Sequence, residues 1–218
     1  MSNLYGNQHR AVQKSFDTEK LADAVGTSIV RDALEDEHKG FIESRDMFFL
    51  STVDHRGYPT CSHKGGSVGF VKTLDNKTLV FPSYDGNGMF LSMGNITQNP
   101  KIGMLFIDFE TPHRVRVHGV ASADKNSDLL NQFPGAEMIV TVSVTEVFIN
   151  CARYIHKYQR LASSNHTPRE GCIAPLAQWK RIDELQDALP DRDKNIVERS
   201  GGTITTEQYV EMLLQGNT

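Results

Sequence analysis

The sequence predicts a mainly β protein of the α+β class, a small antiparallel barrel with helices at both ends. Three observations predict it. Six or seven short runs between residues 47 and 149 are rich in β-branched and aromatic residues and are separated by tight turn signals. In the last of them, EMIVTVSVTEVFI, the residues Met138, Val140, Val142, Val144 and Phe148 fall on one face at strand alternation. Outside this region the apolar residues recur at helical spacing instead. The expected division is a helical leader over 1–40, a barrel over 41–164 and a helical extension over 165–218.

The leader comes first. In FDTEKLADAVGTSIVRDAL the residues Leu21, Val25, Ile29 and Ala33 form a helical stripe, and Asp17 or Thr18 can cap its start. A short helix is expected over DEHKGFIESR. From Met47 the pattern changes. MFFLSTV reads as a strand that stops at the turn DHRG, and YPTCSHK is its hairpin partner. Pro59 stands near the start of that partner, where a missing donor is tolerated. GSVGFVKTL and KTLVFP flank the turn DNK. KIGMLFIDF, HRVRVHGVA and EMIVTVSVTEVFI complete the strands, and DKNSDLLNQFPGAE reads as a helix between the last two. Beyond residue 165, LAQWKRIDELQDAL and TTEQYVEMLLQ are expected helices, joined by the polar PDRDKNIVERSGG.

The 218 residues carry 39% apolar and 23% charged side chains and a net charge of −4. That balance gives no pull toward nucleic acid or an anionic membrane. No apolar run approaches the ~20 residues of a membrane span. The polar N-terminus reads as neither a secretory signal nor a transit peptide. Three widely spaced cysteines, Cys61, Cys151 and Cys172, suit a reducing compartment, so a cytoplasmic protein is expected.

Three patterns bear on chemistry. DGNGMFLSMGNITQNP, residues 85–100, places three glycines around an apolar helical turn. Gly86 and Gly88 permit positive φ and close approach of a ligand to bare backbone. The helix start then offers unpaired N–H groups to an anion, with Asn87 and Asn95 as side-chain donors. A plain strand–helix connection is the competing reading. In HRVRVHG, Val115 and Val117 alternate with Arg114, Arg116 and His118, so both arginines share a face and suit phosphate recognition. A solvated strand face competes with that. In CSHKGG, Ser62 and Lys64 lie on one side of a strand that ends in two glycines, against the alternative of an exposed strand end. Zinc spacings, a nucleophile elbow, a P-loop and a dinucleotide fingerprint are all missing from the sequence, and no metal site is expected.

These pieces stand in a recognisable order. FFLSTVDHRGYPTCSHKGG, FPSYDGNGMFLSMGNITQNPKIGMLFIDF, RVRVHGVA and VFINCARYIHK together resemble the pyridoxamine 5′-phosphate oxidase-like family of FMN-binding split barrels, over residues 41–158. RAVQKSFDTEKLADAV is similar to the leader of one bacterial subgroup. The resemblance implies a six-stranded antiparallel split barrel that forms a homodimer, with FMN at the interface; a deazaflavin or haem is the alternative cofactor. It implies that Ser62, His63, Lys64 and Gly65 lie along the flavin, that Asn87, Gly88 and Met89 form the phosphate-side loop, and that Arg114 and Arg116 reach it from the neighbouring wall. Gly88 and Met89 stand where the family's vitamin B6 oxidases carry an Arg-Lys pair, so charge neutralisation falls to Lys64, Arg114 or Arg116. The Arg-x-His pattern of those oxidases is replaced by RYIH, residues 153–156. The expectation is therefore an FMN-dependent oxidoreductase acting on a small organic substrate other than vitamin B6. The alternative is a non-catalytic flavin, deazaflavin or haem binder, as in a stress response. No residue is assigned a catalytic role.

Overall fold

A computed structural model describes residues 4–171 and 174–216. The chain forms two compact units, Met1–Leu161 and Ala162–Thr218. The first begins with helices α1 (Asn7–Ser15), α2 (Glu19–Ile29) and α3 (Asp36–Glu43). Strands β1 (Met47–Val53), β2 (Pro59–Gly65), β3 (Lys72–Thr73) and β4 (Thr78–Tyr84) follow, then helix α4 (Leu91–Gln98). Strands β5 (Lys101–Asp108), β6 (His113–Asp124) and β7 (Ala136–Asn150) complete the unit. All seven strands belong to one sheet in the order β2-β1-β5-β6-β7-β4-β3. Every neighbouring pair is antiparallel.

The sheet is strongly curled. Phe48 in β1 and Phe81 in β4 stand four strand steps apart, about 19 Å in a flat sheet. Their ring centroids lie 5.0 Å apart. Phe106 is 5.1 Å and Phe70 5.8 Å from the same ring. The inner face is the apolar core, with Leu50, Leu79, Met104, Val115, Val117, Val140 and Val142 buried around these rings. Met93 and Ile96 of α4 reach the same core.

Several expectations are corrected. The sheet has seven strands rather than six, because the 66–74 segment adds only the two-residue β3. The rest of that segment turns at Gly69, whose φ is +79°, and sends Phe70 and Val71 into the core. The helical stripe of the leader stops at Ile29, short of Ala33, because the backbone of Arg31 exchanges two hydrogen bonds with Val147, 2.9 and 2.8 Å long. Phe148 does not share a face with Val140, Val142 and Val144. Thr145 is an extra residue in β7, since His118 pairs with Glu146 while Gly119 pairs with Val144. The bulge puts Val147 inside and Phe148 outside. It also requires Gly119, where a Cβ would lie 2.7 Å from the carbonyl oxygen of Ser143. The helix expected over 124–137 is a single 3-10 turn, Asp128–Gln132. Pro134 and Gly135, with φ +76°, end it, and Phe133 packs on Val80 and Ile139.

In the second unit, 176–189 forms two 3-10 turns, Gln178–Arg181 and Asp183–Ala188, rather than one helix. Ile182 breaks it by going extended to bridge Ile204. The polar connection holds an unexpected helix, α5 (Asp191–Arg199), which has Pro190 at its N-cap and places acids in its first turn. Helix α6 (Thr206–Leu214) follows, as expected. Lys180 and Asp193 form a buried ion pair at 3.0 Å within this unit. Among the described residues no helix is long and apolar enough to cross a membrane. Cys61 and Cys151 are free and exposed, and Cys172 lies outside the described residues.

Phe48→Ala removes the ring that three others surround. A buried Phe→Ala change costs about 3–5 kcal/mol. Urea unfolding should show a loss of that size with native secondary structure retained in dilute buffer.

Candidate functional site

The pleat of β2 sorts its residues. Thr60, Ser62 and Lys64 pair with Thr52, Leu50 and Phe48, so they point to the inner face. Cys61 and His63 point outward with Ser51 and Phe49. Helix α4 lies against the inner side of the β1–β2 pair. The Ser62 and Ser92 hydroxyls are 2.9 Å apart. Asn95 donates to the hydroxyls of Thr52 at 3.0 Å and Thr60 at 3.2 Å. The helix thus runs antiparallel to β2. The same register carried one step further sets the start of α4 and the loop before it level with Lys64.

That loop has the backbone expected of it in part. Gly88 has φ +76°, and nothing lies within 4 Å of where its Cβ would stand, so the conformation and not packing calls for glycine. Gly86 has equally open space but no positive φ. Asn87 Oδ1 accepts from the Met89 N–H at 3.1 Å, which closes the turn. Phe90, at the helix start, adopts the left-handed region with φ 47° and gives no side-chain cap. The first N–H groups of α4 therefore meet no capping side chain. Met89, Phe90 and Leu91 are exposed and form an apolar rim.

Lys64 is half-buried, and burial pulls its ammonium below the ordinary lysine range. Among the described residues it meets no carboxylate and no hydrogen-bond partner. Tyr84, at the stem of the loop, has its phenol pushed up by burial. Ser62 thus meets α4 directly, Lys64 and Gly65 follow it along β2, and Asn87, Gly88 and Met89 lie in the loop that leads into the helix. Asn95 lies in that helix, but it is buried and both its donor contacts go to threonines, which makes it a brace between α4 and the sheet.

His63, Arg114 and Arg116 are on the other face. Arg114, Arg116 and His118 alternate outward along β6 as their spacing requires. Among the described residues Arg114 Nε is buried without a partner, and so is Oδ1 of Asn150, its register partner in β7. The Arg116 guanidinium stands 5.5 Å from the Phe148 ring centre. His118 Nδ1 lies 3.0 Å from Glu146 Oε2. Arg116, His118 and Glu146 border a groove of about 750 Å³ on the outer face of β1, β5 and β6, which Arg114 does not line. Phe49, Ser51, Leu105 and Val120 line it, and Gly103 sits low between Ser51 and His118. Cation type and shared face were legible in RVRVH. Glu146 was not, because the bulge at Thr145 decides where it points.

The barrel thus presents an open glycine turn at a helix start and cations that meet no carboxylate among the described residues. The model of the family described as pyridoxamine 5′-phosphate oxidase matches residues 34–155, more than half of the chain, and the chain belongs to that family. Solved structures similar to it include HupZ of Group A Streptococcus, with 19% identity over 58% of this chain and 99% of that one and a TM-score of 0.45. A putative pyridoxamine 5′-phosphate oxidase of Lactobacillus delbrueckii is 22% identical over 54% of this chain and 95% of its own, with a TM-score of 0.45. An FMN-binding protein of Syntrophomonas wolfei is 13% identical over 66% and 98%, with a TM-score of 0.38. Among curated protein sequences there is no match.

Burial lowers the Lys64 pKa, so the unfolded chain binds more protons than the folded one between the folded-state pKa and the free-lysine value of about 10.4. Stability contributed through this group therefore rises with pH across that window. Lys64→Met should stabilise the ligand-free protein slightly at neutral pH, with the difference from wild type shrinking as pH approaches the upper end. Urea midpoints of both proteins across the alkaline range check this; a variant less stable than wild type throughout would assign Lys64 a structural role.

Proposed function

We propose that the protein is a cytoplasmic FMN-dependent oxidoreductase acting on a small organic substrate, with its cofactor held between two copies of the chain. The observation that carries this reading is the state of its cations. Arg10, Arg31 and Arg45 each meet a carboxylate. Lys64, Arg114 and Arg116 are no more exposed as a group, yet among the described residues they meet none. Partly buried charge is costly unless paired, so these three call for an anion supplied from outside the chain. Family membership makes a flavin the fitting one, its phosphate for Lys64 and the polar edge of its ring for Arg114 and Arg116.

Each part then has a role. Lys64 and the backbone N–H groups around Gly88 and the start of α4 hold the phosphate. Ser62 and Gly65 let the ribityl chain lie along β2. The rim of Met89, Phe90 and Leu91 excludes water. Arg114 and Arg116 point away from Lys64, on the opposite face of the sheet. They reach the same cofactor only as residues of a second copy, where they donate to the ring's polar edge. A bound flavin supplies the two-electron chemistry; the protein orients it and sets its electrostatics.

The purified protein should bind FMN, seen as a flavin visible spectrum and quenched fluorescence. A charge-assisted hydrogen bond contributes roughly 1.5–3 kcal/mol, so Lys64→Met should weaken FMN about tenfold to a hundredfold and riboflavin far less. Arg116→Ala should weaken both alike. Absence of flavin binding would end the reading. Flavin binding without reduction by NADH or NADPH and delivery to any acceptor would leave a carrier in place of an enzyme.

A further inference from the structure

Helices α1 and α2 form an antiparallel hairpin in which no residue is buried. It is internally fixed, with Arg10 paired to Asp23 at 2.6 Å and the Tyr5 hydroxyl donating to the Ala22 carbonyl at 3.2 Å. Its apolar residues face solvent: Val12 is 59%, Phe16 75%, Leu21 63% and Val25 42% exposed. Phe16 stands at the turn, where Asp17 takes φ 53°. Isolated helices shorter than about 12–15 residues are marginal in water, and these have 9 and 11 residues. Covering its apolar side chains would add stability that neither short helix has on its own.

The hairpin joins the barrel where Arg31 pairs with Val147, next to Thr145 and Glu146 at the border of the outer groove. Hairpin and groove are thus neighbouring exposed apolar surfaces on one chain. The groove's far end is formed by Val53, Lys101 and Val120. Charge is complementary there. Among the described residues Lys101 meets no carboxylate, and Asp17 and Glu19 beside Phe16 meet no cation. Area agrees as well. The four residues together expose roughly 400 Å², within the range of the largest apolar patch of a typical monomer. Phe16 and Leu21 carry roughly 260 Å² of it, so reciprocal docking of both on two grooves would bury about 1,000 Å² in all, the lower bound of a specific interface.

We propose that the α1–α2 hairpin of one copy docks by Phe16 and Leu21 on the Val53–Lys101–Val120 end of the outer groove of a second copy, and reciprocally. Two-fold symmetry closes the exchange at two chains. The Arg116 end of the groove stays open for the cofactor. The inference rests on the homodimer of the proposed function and names its contact.

Sedimentation velocity of the full chain across a dilution series tests it, with circular dichroism to verify folding. Wild type should be a dimer. Phe16→Asp and Val120→Glu, both at exposed positions, should each raise the dimer dissociation constant about thirtyfold or more. Phe16→Cys should crosslink through a short bismaleimide to the native Cys61 of the groove, between chains only. A wild type that stays monomeric at every concentration overturns both this inference and the homodimer. A dimer indifferent to both substitutions, with no 16–61 crosslink, overturns the hairpin contact and leaves the homodimer and the flavin reading standing. A dimer lost with Phe16→Asp alone and crosslinked elsewhere overturns the groove as the docking site.

Discussion

The contact between Phe48 and Phe81 across the barrel interior is the constraint on which the rest depends. Two strands at opposite sides of the sheet order meet only if the sheet curls, and it curls because large rings on both fill one interior. Curling converts the two faces of a pleated sheet into an inside and an outside. Every consequence for function follows from that conversion. Side chains one residue apart on a strand then serve different environments, and a helix laid against the inner side of β1 and β2 becomes a plug at the barrel end.

Strand positions were legible because alternation is a local signal that burial enforces. MFFLSTV, KIGMLFIDF and HRVRVHGVA fold as read, with Phe48, Leu50, Met104, Phe106, Val115 and Val117 inward. What escaped is non-local. Thr145 is a bulge because Gly119 on the neighbouring strand leaves room for it, and nothing within EMIVTVSVTEVFI announces that. The leader helix stops at Ile29 because a distant strand captures Arg31. Helix α5 was hidden for the opposite reason. It buries only Asp193 and Val197, too few positions to raise a periodic signal in a polar segment.

The site was legible in chemistry more than in geometry. Residue types pointed to anion recognition, and Gly88 does adopt the left-handed backbone that its type permits. Alternation could also have separated His63 from Ser62 and Lys64, since it is the same period that grouped the two arginines. Asn95 shows the limit more clearly. Its amide was a plausible donor to a ligand until Thr52 and Thr60, far away in sequence, occupied it. His118 shared the arginines' face in the sequence, but its partner Glu146 could be placed only once the bulge was known.

The cations give the molecule its asymmetry between stability and use. Where charge serves the fold, this chain neutralises it: Arg45 sits against Asp108 at 2.8 Å, and Lys180 is sealed against Asp193. Lys64, Arg114 and Arg116 break that habit. Burial disfavours the half-buried Lys64 ammonium, and the start of α4 has no side-chain cap. The left-handed backbone at Phe90 adds strain at the same place. Folding alone would favour a capping serine there and a neutral side chain at residue 64. Local choices that oppose the fold thus occur at Lys64 and Phe90 and again at Arg114 on the outer face of β6, while the inward strand positions agree with it.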